Sequence, residues 1–230
     1  MLMRKSTLTG FLLSAFISLT ILQSCKDDSY LLAPPPVPNN SFYQDFDTLQ
    51  SAYNQGWRFI NKTTPLGNHE WDVGGFSVLP PYKGIGMLFS FNTVSNPSAS
   101  ATFSNWAVSP PVWLQNGDKI IFYTNSISFA GTPSRLQVCV NGVNDGLNVG
   151  SGAGMGDFSN VILDINPFQT FGFLDSYPVT WTRFEATVNG LSKPVKGRFA
   201  LRYYVNSIVN ANPFEDTAIG IDDLSYISNQ

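Results

Sequence analysis

The chain has 230 residues, of which 43% are hydrophobic and 13% charged, with 13 basic and 16 acidic side chains and a net charge of −3. A weakly acidic chain whose basic residues are scattered does not suit nucleic acid or an anionic membrane face. Two cysteines and one histidine leave little for zinc chemistry or a disulfide framework.

The N-terminus reads as a targeting segment. Arg4 and Lys5 precede a mostly apolar run, Leu8 to Leu22, that ends in Gln23-Ser24-Cys25. A positive start and a short apolar run before a small residue form a secretory signal, and the run is shorter than the ~20 residues of a spanning helix. The last four residues of the segment resemble a bacterial lipobox. The resemblance implies that the Cys25 thiol takes up a diacylglycerol, that residues 1–24 are removed, and that the new N-terminus is acylated. Loss of Arg4 and Lys5 would take the net charge from −3 to −5. Lys26-Asp27-Asp28 is similar to the acidic tag of surface-exposed Bacteroidetes lipoproteins. The expected location is therefore the outer membrane, lipid-anchored, with the domain exposed at the cell surface.

Residues 25–41 hold the lipidated cysteine and a linker. Ala33-Pro34-Pro35-Pro36-Val37-Pro38 favours extended polyproline II, at about 3.1 Å per residue. From Phe42 to Gln230 the pattern is one all-β domain: short Val, Ile, Phe, Tyr and Thr runs between Gly, Pro, Asn and Asp clusters, without helical periodicity. Strands are predicted at 42–46, 84–91, 105–109, 119–125, 134–141, 179–188, 197–206 and 218–227. In the seventh, Phe199, Leu201, Tyr203 and Val205 alternate with Arg198, Ala200, Arg202 and Tyr204, the period of a pleated strand. Cys139 sits in an apolar run and reads as a small buried hydrophobe. The fold expected is a jelly-roll or concanavalin-like β-sandwich.

Trp106-Ala107-Val108-Ser109-Pro110, Ser134 to Val140, Trp181-Thr182-Arg183-Phe184, Gly197 to Tyr203 and Ile219-Gly220-Ile221-Asp222-Asp223 follow one another in an order that resembles choice-of-anchor J domains, relatives of the cleaved-adhesin domains. The resemblance runs from about Asn105 to Ser228 and more weakly from Phe42. It implies a jelly-roll sandwich on secreted or surface-attached bacterial proteins, and no particular activity.

Catalytic patterns are sparse. His69 would have to serve any Ser–His–Asp triad, no Gly-x-Ser-x-Gly elbow is present, and no strand carries the paired carboxylates of a lectin-fold glucanase. Calcium, which takes several hard oxygens, is the better metal expectation. Asp45 and Asp47 would share a strand face, Asp222 and Asp223 lie on the last strand, and first and last strands of jelly rolls commonly adjoin. A ligand surface would use exposed aromatics. Trp57, Trp71 and Trp113 lie near turns and are the expected ligand residues, with Tyr203 and Tyr204 as further candidates. Trp106 and Trp181 sit inside strand motifs and are assigned to the core. The Gly142–Asp157 loop adds Asn144, Asp145 and Asp157, although a mobile connection is the favoured reading of it.

The expected function is a surface-tethered, non-catalytic binding or adhesion lipoprotein whose partner is a polysaccharide or an envelope protein. The alternatives are a divergent glycan hydrolase or lyase on a lectin-like fold, and a structural accessory subunit of an outer-membrane complex.

Overall fold

The computed structural model describes residues 36–65, 70–92, 102–127, 133–170, 172, 176–206 and 218–229. Cys25, the leader, the first half of the linker and His69 lie outside the described residues.

Among the described residues, twelve strands and one short helix follow in the order β1 (Phe42–Gln44), α1 (Leu49–Gln55), β2 (Arg58–Asn61), β3 (Asp72–Gly74), β4 (Met87–Phe91), β5 (Thr102–Val108), β6 (Val112–Leu114), β7 (Lys119–Ser126), β8 (Leu136–Asn141), β9 (Asn160–Ile165), β10 (Thr182–Thr187), β11 (Val195–Asn206) and β12 (Ala218–Ile227). They form two antiparallel sheets. The front sheet has the order β10-β7-β12-β4-β3, with β1 also on β12, and the back sheet runs β2-β5-β11-β8-β9, with β6 also on β11. The all-β sandwich expected from the sequence is the observed fold.

The centre of each sheet is a long late strand, and each uses two partners in line along one edge. β4 takes residues 218–221 of β12 and β1 takes 224–226; β6 takes residues 195–197 of β11 and β5 takes 200–206. The expected pairing of first and last strands is present, with Phe42 opposite Tyr226.

Alternation decides which side chains meet between the sheets. Phe199, Leu201, Tyr203 and Val205 face inward, with Ile219, Ile221, Leu224 and Tyr226 of β12 and Ile120 and Phe122 of β7 in the same core. Phe42 stacks on Phe199 at 6.2 Å, and Trp57 meets Phe199 edge-on at 5.8 Å. Burying one such ring contributes about 1.5–3 kcal/mol.

Two predicted features differ. The sequence reading had no helix, yet Leu49–Gln55 forms one. The Thr48 side chain accepts from the Ser51 N–H at 3.1 Å, and Gly56 closes the far end. A seven-residue helix is too short to show a periodicity of 3.6, but the cap residues at each end were visible. β1 also stops at Gln44, two residues short of the predicted end, because Phe46 adopts a φ of 54°. Asp45 and Asp47 therefore do not alternate on one strand face.

Candidate functional site

The two sheets treat their outer faces differently. On the back sheet the 142–158 loop folds down over the strands. Val149 and Phe158 pack with Trp106, Val108, Cys139 and Ala200 in a second small core. At its centre Arg202 is buried, with its guanidinium 4.7 Å from the Trp106 ring and 4.0 Å from the Tyr204 ring. It donates to the Gly152 and Ala153 carbonyls at 3.1 Å each, to Ser104 Oγ at 3.1 Å and to Gln137 Oε1 at 3.2 Å. Burial pulls the Arg202 pKa down to about 10, so the group stays charged at neutral pH. Cys139 beside it is buried and its thiol is pushed up to about 12 by desolvation, in keeping with an unreactive hydrophobe.

This arrangement corrects the reading of the loop as a mobile connection. Asn144 donates to Asp157 Oδ2 at 3.4 Å and its Oδ1 accepts from Gly146 N–H at 2.7 Å. Asp157 also accepts from Asn148 at 3.1 Å, and Asp145 pairs with Lys196 at 3.1 Å. Asn144, Asp145 and Asp157 thus hold the loop's own shape. Tyr203 and Tyr204 are buried as well, so neither offers a ring to a ligand.

On the front sheet the segment between β3 and β4 crosses the outer face, and four acids secure it. Asp222 is buried on β12, where Oδ2 accepts from Lys83 N–H at 3.0 Å and Oδ1 from Asp223 N–H at 2.7 Å. Asp47 Oδ1 accepts from Ile85 N–H at 2.7 Å and Gly86 N–H at 3.1 Å. Gly84 sits between them at a φ of 65°, where a Cβ would run into the Asp47 carboxylate. Asp45 Oδ1 accepts from Asp47 N–H at 3.1 Å, and Asp223 takes the Tyr43 hydroxyl and the Lys83 ammonium at 2.7 Å each.

The four acids expected to share one ion each accept from N–H or O–H donors of the protein instead. Among the described residues no group of three or more His, Cys, Asp or Glu side chains is placed to hold a metal, and the donor set does not fit calcium, which takes 6–8 oxygens. Burial, partly offset by the backbone N–H groups, pushes the Asp222 pKa up to about 6.

The expected ligand tryptophans separate. Trp57 is 0% exposed: Phe42, Phe46 and Phe199 surround it and Gln55 Oε1 accepts its indole N–H at 2.9 Å. It is a core residue, because Gly56 turns the chain inward at the end of α1. Trp113 is 38% exposed on β6, beside a shallow depression with Phe42, Pro110 and Lys196. Its own N–H and carbonyl are taken by Asn40 Oδ1 and the Tyr226 hydroxyl.

Trp71 is 3% exposed and packs in the core 6.3 Å from Tyr203, and it also borders a groove of about 560 Å³. Leu49 and Tyr53 of α1 form one side of that groove. Phe76, Phe89 and Phe91, which meet edge-to-face at 4.7–5.7 Å, form the other. Glu70 and Asp72 stand exposed at the rim. The Trp71 indole nitrogen is buried and has no acceptor among the described residues, a state that costs about 1–3 kcal/mol if nothing else supplies one. A concavity of this size, with aromatic walls and polar groups at its rim, is large enough to take a small ligand.

Trp181, assigned to the core from sequence, is only partly buried. Its indole N–H donates to the Pro80 carbonyl at 3.1 Å, and its ring lies 5.9 Å from Tyr82. Tyr82 in turn stacks on Tyr123 at 3.9 Å. Nothing in the local sequence separates Trp181 from Trp106, since both open strand motifs; Trp181 lies one residue before β10, over the outer face.

No protein-family model matches the chain, and a comparison with curated protein sequences likewise finds no match. Solved structures do match in fold. The K1 cleaved adhesin domain of Lys-gingipain from Porphyromonas gingivalis W83 aligns with a TM-score of 0.54 at 14% identity, over 83% of this chain and 99% of that domain. The K2 cleaved adhesin domain of Lys-gingipain gives 0.51 at 14% identity, over 83% and 99%. The chain therefore has the β-sandwich fold of cleaved adhesin domains.

Proposed function

We propose that this protein is a non-catalytic binding lipoprotein of the bacterial surface, and that it recognises neutral glycan in the groove between α1 and the β3–β4 edge. In this reading Cys25 carries the lipid, the Pro-rich linker lifts the domain from the outer membrane, and residues 42–230 are a choice-of-anchor J domain. The lipobox-like leader and the ordered motifs support the tether and the family, and the fold shared with adhesin domains is consistent with both.

One observation supports the ligand class: a groove lined by Tyr53, Phe76, Phe89 and Phe91 carries two exposed carboxylates, Glu70 and Asp72, at its rim. A sugar offers apolar ring faces to Tyr53 and Phe76 and hydroxyl groups to the rim carboxylates. Glu70 and Asp72 accept hydroxyl hydrogens and repel anionic polymers, so neutral glycans are the expected class.

Isothermal titration of the purified protein with neutral and uronic-acid oligosaccharides tests the reading. Binding of a neutral series, weakened at least tenfold by Tyr53→Ala, is expected. Binding that prefers polygalacturonate, or survives Tyr53→Ala and Asp72→Ala unchanged, would overturn it. Metabolic labelling with an alkyne fatty acid, lost in Cys25→Ala, tests the anchor.

A second reading has one observation in its favour. Glu70 and Asp72 line the same groove, and a carboxylate pair is the minimum equipment of a glycosidase. Both stand at an open rim rather than across a closed cleft. Release of reducing ends from a bound polysaccharide, abolished by Glu70→Gln, would establish hydrolysis.

A further inference from the structure

We infer that the groove between α1 and the β3–β4 edge takes a sugar bearing a free, protonated amine in preference to its neutral counterpart, so that the favoured ligand is an amino-sugar glycan. This rests on the proposal that the groove binds glycan, and it goes beyond the neutral class named there.

The charge around the groove is one-sided. Glu70 and Asp72 stand exposed at its rim, on either side of Trp71 in the chain. Residues 49–55, 70–82 and 87–91, which supply the lining, hold these two carboxylates and no lysine or arginine. The protein itself leaves both charges unmatched. Glu70 has no hydrogen-bond or ion-pair partner among the described residues, and Asp72 accepts only from the adjacent Val73 N–H, at 2.8 Å. Elsewhere carboxylates are paired: Asp145 with Lys196 at 3.1 Å, Asp164 with Arg135 at 2.5 Å, Asp223 with Lys83 at 2.7 Å, and Glu185 with Lys119 and Arg183 at 2.7 and 2.9 Å. A cation arriving at the groove therefore meets two carboxylates and displaces no internal partner.

The walls favour the same charge and decide what carries it. Tyr53 is 41% exposed, and Phe76, Phe89 and Phe91 are partly exposed. Aromatic faces attract an ammonium group within about 6 Å, and they also pack against the apolar face of a sugar ring. A hexosamine brings the ammonium and the ring face in one residue. A lysine side chain brings the charge without the ring face, and a neutral hexose brings the ring face without the charge.

Calorimetric titration with three β-1,4-linked series of equal length, at a pH where the amine is protonated, tests the inference. The series differ only at C2: a hydroxyl in cello-oligosaccharides, a free amine in chitosan oligosaccharides and an acetamide in chitin oligosaccharides. The amine series is expected to bind about five- to tenfold more tightly than the cello series, with an advantage that shrinks as salt is raised. The acetamide series is expected to share none of that advantage. In the double variant Glu70→Gln, Asp72→Asn the amine and cello series should bind equally, and its thermal midpoint reports that the fold is kept. Equal affinities in the wild type, an advantage shared by the acetamide series, or an advantage retained in the double variant would each overturn the amine preference and leave the glycan groove standing. Tetralysine binding as tightly as chitosan tetrasaccharide would overturn it in favour of a basic protein segment. Absence of binding by all three series would overturn the groove and the preference together.

Discussion

The two outer faces of the sandwich are built from the same alternating strands and end in opposite states. On the back sheet a loop closes over the strands, and each polar group beneath it that reaches the Arg202 guanidinium is satisfied by it. On the front sheet a loop crosses the strands but leaves Tyr82, Tyr123 and Trp181 partly exposed, with the Asn125 Oδ1 lacking a donor among the described residues. Satisfied polar groups around a packed arginine make a closed structural layer. Orphaned ones among open rings mark the face that is left for something else.

Replacing Arg202 breaks the comparison most severely. Arg202→Ala removes two ring contacts and the bonds to three loop carbonyls, and the expected loss is about 3–5 kcal/mol. For a domain of this size the unfolding midpoint should fall by roughly 10 °C. Amide exchange over residues 142–158 should rise with it, while exchange on the front sheet should follow the global loss alone. A midpoint within a few degrees of wild type would show that the back face is not organised around the guanidinium.

Asp222 tests the front-face loop. Asp222→Asn keeps one oxygen acceptor where two are used, and should cost about 1–3 kcal/mol. The pH dependence adds a sign. Because burial raises the folded pKa of Asp222 to about 6, against about 3.9 in an unfolded chain, its favourable contribution is complete below pH 4. That contribution is lost as the pH climbs to 6. The wild-type midpoint should therefore decline across this window by an amount worth about 2–3 kcal/mol, and Asp222→Asn should flatten the decline. Below pH 4 the carboxylates of Asp145 and Glu185, held low by Lys196 and by Lys119 with Arg183, act in the opposite sense. A midpoint that rises from pH 4 to 6 would contradict the assigned burial effect.

Smaller effects sharpen the contrast. Tyr53→Ala, at a 41% exposed position, should change stability by under about 1 kcal/mol while lowering glycan affinity, which circular dichroism and titration read separately. Trp113→Ala should leave affinity unchanged, because its depression belongs to the other edge, where β6 meets β11. Weakened binding in that variant would move the ligand away from the front sheet.

Much of the fold was legible because alternation is a local property. The inward set Phe199, Leu201, Tyr203 and Val205 and the outward set Ala200, Arg202 and Tyr204 could be read one residue at a time, and burial of Cys139 followed from its run. The layer outside the sheets was not legible. Whether Trp106 or Trp181 is covered depends on a loop more than 40 residues away from the first and about 100 from the second, and no local pattern carries that information. Trp71 shows the same limit from the other side: its burial and its place in the groove come from α1, a helix with capping signals but no period. The pairing of first and last strands was legible, but the partners of Asp47 and Asp222 are backbone amides of residues 83, 85 and 86, which composition does not reveal.

The position of β11 and β12 in the two sheets has a consequence for the order in which the molecule can form. Each is the central strand of its sheet, and they are also the last two of the described strands in chain order. Everything made earlier is an edge waiting for a middle. A chain ending before Val195 holds all of the flanking strands and neither of the strands that join them, so it should show no cooperative transition at all. Contacts this distant in sequence are slow to close, in times of about milliseconds to seconds. The polypeptide thus remains an open thread until its final segment is present, and then both layers zip around that segment at once.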